Sequence, residues 1–225
     1  MARWPAPGRC KRRLAASGGS SQRAASIQAR LTSHTLLVAA AAAADDNCQL
    51  RLAVDGIGQG ALRRWQRAVQ RRSDWPWSER VEFRGQGGGN LGCRMQRQLH
   101  QGFARGAERV VVIGTDLPGL ECRDLTRALL LLQTDPLVIG PATDGGYWLI
   151  GMNRAGFQRA GARLMSGIAW GGADVLAQTL ARAALLDLPS RLLRPQRDLD
   201  DRADLLAWLH PVAHQGGPVP GAAWA

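Results

Sequence analysis

Val110-Val111-Val112-Ile113-Gly114-Thr115-Asp116-Leu117-Pro118-Gly119-Leu120 is the stretch that decides the fold. Four β-branched residues run straight into Gly-Thr-Asp, and a Pro-Gly turn follows. A continuous apolar run bounded by turn residues reads as a strand buried on both faces. Asp116 then stands at the carboxyl end of that strand. In open α/β sheets this end is where ligands bind. Asp116 is therefore a candidate metal or substrate ligand.

On either side of this strand, apolar strands alternate with helical segments. Leu50 to Val54 alternates and ends in Asp55-Gly56, and Val81-Glu82-Phe83 reads as a short strand. Leu137 to Ile139, Tyr147 to Ile150 and Leu192-Leu193 read as three more. Helices are expected from Ser20 or Ser21 to about Ala44, Ala61 to Arg72, Cys93 to Gly106, Asp124 to Leu132, Asp174 to Leu186 and Asp201 to Leu209. Residues 1–20 and 73–80 read as loops. The alternation predicts an α/β domain with a mostly parallel sheet covered on both faces. Such a sheet opens with a buried strand before its first phosphate-contacting loop. No apolar strand precedes Trp4-Pro5-Ala6-Pro7-Gly8, so the first strand is expected to be missing and Met1 to be internal to a longer protein. One domain over residues 1–210 is expected, with a disordered Pro/Gly-rich tail at 211–225.

Composition narrows the class. With 225 residues, 45% of them hydrophobic, the chain can bury one full core. The net charge is +11, and every basic residue except Lys11 is an arginine. The arginines are scattered, without a basic stripe or interleaved aromatics, which argues against nucleic-acid binding. The four cysteines form no Cys-x-x-Cys, so neither a zinc site nor a disulfide framework is indicated. No apolar secretory segment is visible, and the Ala-rich run after Leu36-Leu37-Val38 is too short to span a bilayer. A soluble, cytoplasmic protein is expected.

Five constellations carry chemistry. Pro7-Gly8-Arg9-Cys10-Lys11-Arg12-Arg13 combines a glycine turn with cations, as a phosphate loop does, but lacks Walker spacing. It equally reads as a solvated basic terminus, although the lone lysine falls here. Gln86-Gly87-Gly88-Gly89-Asn90-Leu91-Gly92 offers paired amide donors and acceptors beside permissive glycines, which suits a nucleobase; a flexible loop is the alternative. Asp116 in Gly-Thr-Asp-Leu-Pro can hold a divalent cation bridging a diphosphate, or cap a turn. Asp144 in Gly140-Pro141-Ala142-Thr143-Asp144-Gly145-Gly146-Tyr147 can orient an acceptor hydroxyl or act as a base; a tight Asp-Gly hairpin competes. Asp198-Leu199-Asp200 points two carboxylates to one side if extended, and Asp201 with Asp204 can cap the last helix. Asp198 or Asp200 could complete a metal site with Asp116.

In this order, these segments resemble the GT-A-fold nucleotide-diphospho-sugar transferases typified by the arsenosugar-biosynthesis glycosyltransferases, long known as a domain of unknown function. The resemblance runs from about Ala2 to Leu209. It is most specific at Ile113 to Pro118 and Gly140 to Gly151, with Trp170, the helix around Val175 and Thr179, and Asp198-Leu199-Asp200 also matching. More distantly the layout is similar to the molybdenum-cofactor and phospholactate guanylyltransferases. The resemblance implies a metal-dependent glycosyltransferase acting on a nucleotide-sugar donor and a small-molecule acceptor, with nucleotidyl transfer or a degenerate nucleotide binder as alternatives. It places Gly8, Lys11 and Arg13 near the diphosphate, and Gln86, Gly89, Asn90 and Gly92 near base and ribose. Asp116 and Asp200, joined by Asp198, would hold Mg²⁺ or Mn²⁺. Asp144, as the catalytic group, with Gly145, Gly146 and Trp170, would line the sugar or acceptor side. The chain departs from the family in its missing first strand, in Arg12 for a usual threonine and in Asn90 for a usual aspartate.

Overall fold

The computed structural model describes residues 1–17, 19–45, 48–70 and 81–209. The first half carries β1 (Ala2–Arg3), α1 (Arg12–Ala16), α2 (Ser21–Asp45), β2 (Leu50–Asp55), α3 (Gln59–Gln70) and β3 (Val81–Gly85). The second carries α4 (Leu91–Ala104), β4 (Arg109–Ile113), α5 (Cys122–Leu131), β5 (Leu137–Pro141), β6 (Tyr147–Asn153), α6 (Arg154–Leu164), α7 (Val175–Leu185), β7 (Ser190–Leu192) and α8 (Arg202–Leu209). The α/β class expected from the sequence is the one observed. The readings at 73–80 and 211–225 lie outside the described residues.

The strands form two sheets, ordered β1-β2-β3 and β4-β6-β5-β7. The first is parallel throughout. In the second, β5 and β7 are parallel, while β6 runs antiparallel to both β4 and β5. The reason is local: β6 follows β5 through a short turn, and a parallel neighbour would need a crossover. The two sheets meet at Met1, whose amino group donates to the Ile113 carbonyl at 2.5 Å.

Three expectations need correction. Residues 1–20 are not all loop, because β1 and α1 lie in them, and the first strand is not absent. Ala2 pairs with Val54 and Arg3 with Asp55, so it is present as two residues. The Val110–Ile113 strand is not buried on both faces: only Val112 is fully buried, and its neighbours are half-exposed. They border a cavity of about 860 Å³ between β2 and β4. Finally, α6 has no counterpart in the sequence reading. Asn153 caps it by accepting from Gly156 N at 2.8 Å, and Gly156 lets it press on β5's entry, since a Cβ there would lie 2.3 Å from the Pro136 carbonyl. Glycines at 156 and 161 dilute the apolar period that would have announced it.

The helices form for legible reasons. Ser20 accepts from Arg23 N at 3.1 Å and so caps α2. That helix buries Ala24, Ala25, Leu31 and Leu36, and its buried Thr32 and Thr35 hydroxyls donate to carbonyls one turn back. Leu99 and Phe103 of α4 pack with Val112, Ile150, Met152 and Leu164 on one face of the second sheet. Leu125, Ala128 and Leu132 pack with Val138 and Leu149 on the other. Among the described residues, no helix is long and apolar enough to cross a membrane.

Candidate active site

Lys11 closes the centre of the site. It follows the turn at Gly8 (φ +75°), itself takes a left-handed φ of +45°, and turns its side chain inward until only 2% of it is exposed. A buried ammonium needs acceptors for its three donors. Its Nζ lies 2.7 Å from Asp116 Oδ1 and 3.1 Å from Asp200 Oδ1, and donates to the Leu199 carbonyl at 2.5 Å. The opening loop, the Gly-Thr-Asp turn after β4 and the Asp-x-Asp segment before α8 thus converge on one cation. Leu199 N donates to the Asp116 carbonyl at 2.8 Å, which docks the last segment on that turn. Thr115 is buried and accepts from Gln28 of α2. Gly8 and Arg13 stay exposed at the rim.

Asp198 is half-buried, and its Oδ1 is out of solvent with no hydrogen-bond partner. Burial, reinforced by the charges of Asp116, Asp144 and Asp200 and opposed by Lys11, pushes its carboxyl up to about 7. These four carboxylates share one region with one ammonium, so the site has spare negative charge. Asp200 N and Asp201 N both donate to Asp204, and Asp204 N donates to Asp201 Oδ1. Asp201 and Asp204 are therefore the capping pair of α8, as one reading of the sequence had it.

Asp144 is exposed on the turn between β5 and β6 and accepts from Gly146 N at 3.0 Å. The hairpin geometry and the carboxylate near the site hold together. Gly145 (φ +89°) has no room for a side chain, because a Cβ would lie 1.7 Å from the Ala173 carbonyl. Its own carbonyl accepts from Leu176 N at 2.9 Å, which fixes the start of α7 against the turn.

On the opposite rim, Gln86 is buried and donates to the carbonyls of Ala2 (2.9 Å) and Ala53 (3.2 Å), so its amide clamps β1 to β2. Asn90 caps α4 by accepting from Cys93 N at 2.9 Å. Gly89 takes a φ of +97°. Trp170 lies on Gly92: a Cβ there would be 2.4 Å from the indole ring. The half-buried Trp170 also meets Tyr147 edge-on, with centroids 6.4 Å apart. The structure thus brings Gly92 and Trp170, placed on different sides of a donor by the resemblance, into direct contact.

Two residues that sequence reading passed over shape this loop. Arg97 donates to the Gln86 and Gly88 carbonyls, and Arg94 donates to the Gly89 carbonyl and pairs with Asp55 at 2.6 Å. In a chain so rich in arginine, no composition signal could single them out.

The cleft suits a divalent cation by donor type. Asp116 and Asp200 both reach the same point, Nζ of Lys11, and Asp198 offers an unpartnered buried oxygen beside them. Mg²⁺ takes one or two carboxylates plus substrate phosphates and waters. Among the described residues, no group of three or more His, Cys, Asp or Glu stands ready-made around a metal position.

The family model described as "Uncharacterized protein conserved in bacteria (DUF2064)" matches residues 37–172. The chain is also similar to a crystal structure from Desulfovibrio desulfuricans G20 named "putative nucleotide-diphospho-sugar transferase". Sequence identity is 29% and the TM-score 0.75, over 92% of this chain and 82% of that one. No curated protein matches the chain.

Proposed function

The chain belongs to the DUF2064 family of bacterial proteins, and from that premise we propose that it transfers a sugar from a nucleotide-diphosphate donor to a small-molecule acceptor. The observation that carries the reading is the convergence of Lys11, Asp116 and Asp200 at the strand ends, in a fold similar to a nucleotide-diphospho-sugar transferase. The donor's diphosphate enters over the Gly8 loop, where Arg13 and Lys11 neutralise its charge. Asp116 and Asp200, with Asp198, are the residues that would hold Mg²⁺ or Mn²⁺. That cation supplies charge stabilisation for the departing nucleoside diphosphate. The loop of Gln86, Gly89, Asn90 and Gly92 faces base and ribose, with Arg94 and Arg97 holding its shape. Asp144, Gly145, Gly146 and Trp170 form the acceptor side, and Asp144 is the group that meets the acceptor hydroxyl. An arsenosugar-type acceptor follows from the resemblance alone.

The test is a panel of nucleotide-sugars and, separately, nucleoside triphosphates, each with Mn²⁺. Metal-dependent thermal stabilisation and nucleoside diphosphate release are expected with a nucleotide-sugar. Asp116→Asn is expected to lower turnover about 100-fold or more, the equivalent of several kcal/mol of lost charge stabilisation. Pyrophosphate release from triphosphates alone would replace this reading by nucleotidyl transfer, and no response to any nucleotide would remove it.

A further inference from the structure

The chain from Ser190 to Asp200 is a strap that carries Asp198 and Asp200 to the site, and little apolar packing holds it. Over these residues only Gln196 and Leu199 are buried, and all three residues of β7 are exposed. Hydrogen bonds set its course instead. Leu193 N donates to the Ile139 carbonyl and Gln196 N to that of Pro141, which continues the pairing with β5. Thr143 N donates back to the Gln196 carbonyl at 3.0 Å, and the indole of Trp148 donates to the Arg194 carbonyl at 3.4 Å. The side chains of Arg194 and Gln196 both turn to one buried group, Asp124 in the first turn of α5.

Asp124 accepts from four N–H groups. Arg194 Nε donates to Oδ1 at 2.7 Å and its Nη2 to Oδ2 at 2.9 Å, while Gln196 Nε2 (3.0 Å) and Glu121 N (2.9 Å) also donate to Oδ2. A carboxylate has about four lone-pair positions, so this one is fully engaged. Capping a helix needs only the Glu121 bond, which is half of the capping box at the start of α5. The other three bonds go to residues 70 and 72 positions away in the chain. Burial opposes the charge of Asp124, yet the bonds from Arg194, Glu121 N and Gln196 hold its carboxyl below the usual range.

We propose that Asp124 is a positioning residue for the carboxylates of the site: through Arg194 and Gln196 it fixes the strap, and so sets where Asp198 and Asp200 stand relative to Asp116. The role rests on the reading of these three aspartates as the residues that would hold a divalent cation. Asp198 follows Gln196 by two residues, about 7 Å of extended chain. Its buried Oδ1 has no hydrogen bond that could correct its position. Downstream the strap is held again, by Leu199 N on the Asp116 carbonyl and by Arg197 on Asp204 at 2.8 Å. Asp200 also keeps its contact with Lys11. Asp198 thus stands between two anchors, and loss of the upstream one displaces it more than Asp200.

The experiment compares the parent chain with Asp124→Asn, Arg194→Met and the double variant, by amide exchange and by calorimetric titration of Mn²⁺ without nucleotide. Asparagine offers a single acceptor oxygen, so at most about two of the four donors keep a partner, while the Glu121 half of the capping box is unchanged. Asp124→Asn is expected to speed exchange at Thr143 and Gln196 by about tenfold or more, and to leave the last turn of α5 within about twofold of the parent. Mn²⁺ is expected to bind about tenfold more weakly. Arg194→Met leaves the cap of α5 intact and is expected to give the same pattern, including where Asp124→Asn does not accumulate. Both changes cut one tie, so the double variant is expected to bind Mn²⁺ within about twofold of the weaker single. Parent-like exchange in the strap, or faster exchange spread equally over α5, overturns the proposal. So do Mn²⁺ losses that multiply in the double variant, or a loosened strap with parent-like affinity. Asp116→Asn separates the two readings. If it binds Mn²⁺ as well as the parent, the cation site falls, and the exchange pattern still decides whether Asp124 anchors the strap.

Discussion

Lys11 occupies the point that two carboxylates share. The residues alone joined Asp116 with Asp198 or Asp200, and the family resemblance added Lys11 to that site. Neither could foresee that the ammonium would itself bridge the two acids. That contact depends on the left-handed backbone at Lys11, which no residue type announces. A divalent cation entering between Asp116 and Asp200 competes with this ammonium, while a diphosphate gains from it. Lys11→Met is accordingly expected to tighten Mn²⁺ binding without nucleotide by about tenfold and to weaken nucleoside diphosphate binding by about as much, each some 1.4 kcal/mol. Calorimetric titration of both ligands checks the pair. A variant that binds the metal no better than the parent would show that ammonium and cation do not share the position. Gln86 and Asn90 were harder to read. Their amide groups suit a base, yet Gln86 spends its nitrogen on two strand carbonyls and Asn90 spends its oxygen on a helix end.

Among the elements, the β5–β6 hairpin decides where the acceptor side sits. The strands on either side were legible as apolar runs, and the Asp-Gly-Gly turn was legible as punctuation. The fit between turn and α7 was not, because it depends on a carbonyl 28 residues away in the chain approaching Gly145. Gly145→Ala adds a methyl in a left-handed backbone and against Ala173, where backbone has to move. A loss of about 2–4 kcal/mol is expected, read by denaturant unfolding, together with a lower affinity for the acceptor rather than the donor. A stability change under about 0.5 kcal/mol would show that the start of α7 yields freely. The missed α6 teaches the same lesson about reach. Its two glycines look like breakers locally, yet Gly156 is demanded by the Pro136 carbonyl, an approach visible only in three dimensions.

In the whole molecule, arginine serves mainly to tie segments together. Glu82 on β3 accepts from Arg105 beyond α4, Arg84 beside it and Arg51 on β2. The Arg105 hydrogen bond, with those of Arg84 and Arg51, holds its carboxyl down to about 2 against an ordinary 4.5, although partial burial pulls the other way. The folded value lies below the unfolded one, so this stabilisation is complete above about pH 4.5 and is lost as pH falls through 2. Glu82→Gln is expected to cost about 1 kcal/mol at pH 7 and progressively less below pH 4.5. Urea unfolding across that range checks the slope, and a constant difference would remove the linkage. The sequence could show the surplus of arginine but not its partners.

The contact from Lys11 to Leu199 and Asp200 also has a kinetic meaning. It joins residues 188 positions apart, so nearly the whole chain must be threaded before the ring can close. Local helices and the β5–β6 hairpin need no such search, and distant closure is slow and entropically late. A nascent or partly opened molecule would therefore carry its helices long before it carried a working cleft. Occupancy of that cleft would report completed folding of the chain from its first residues to its last helix.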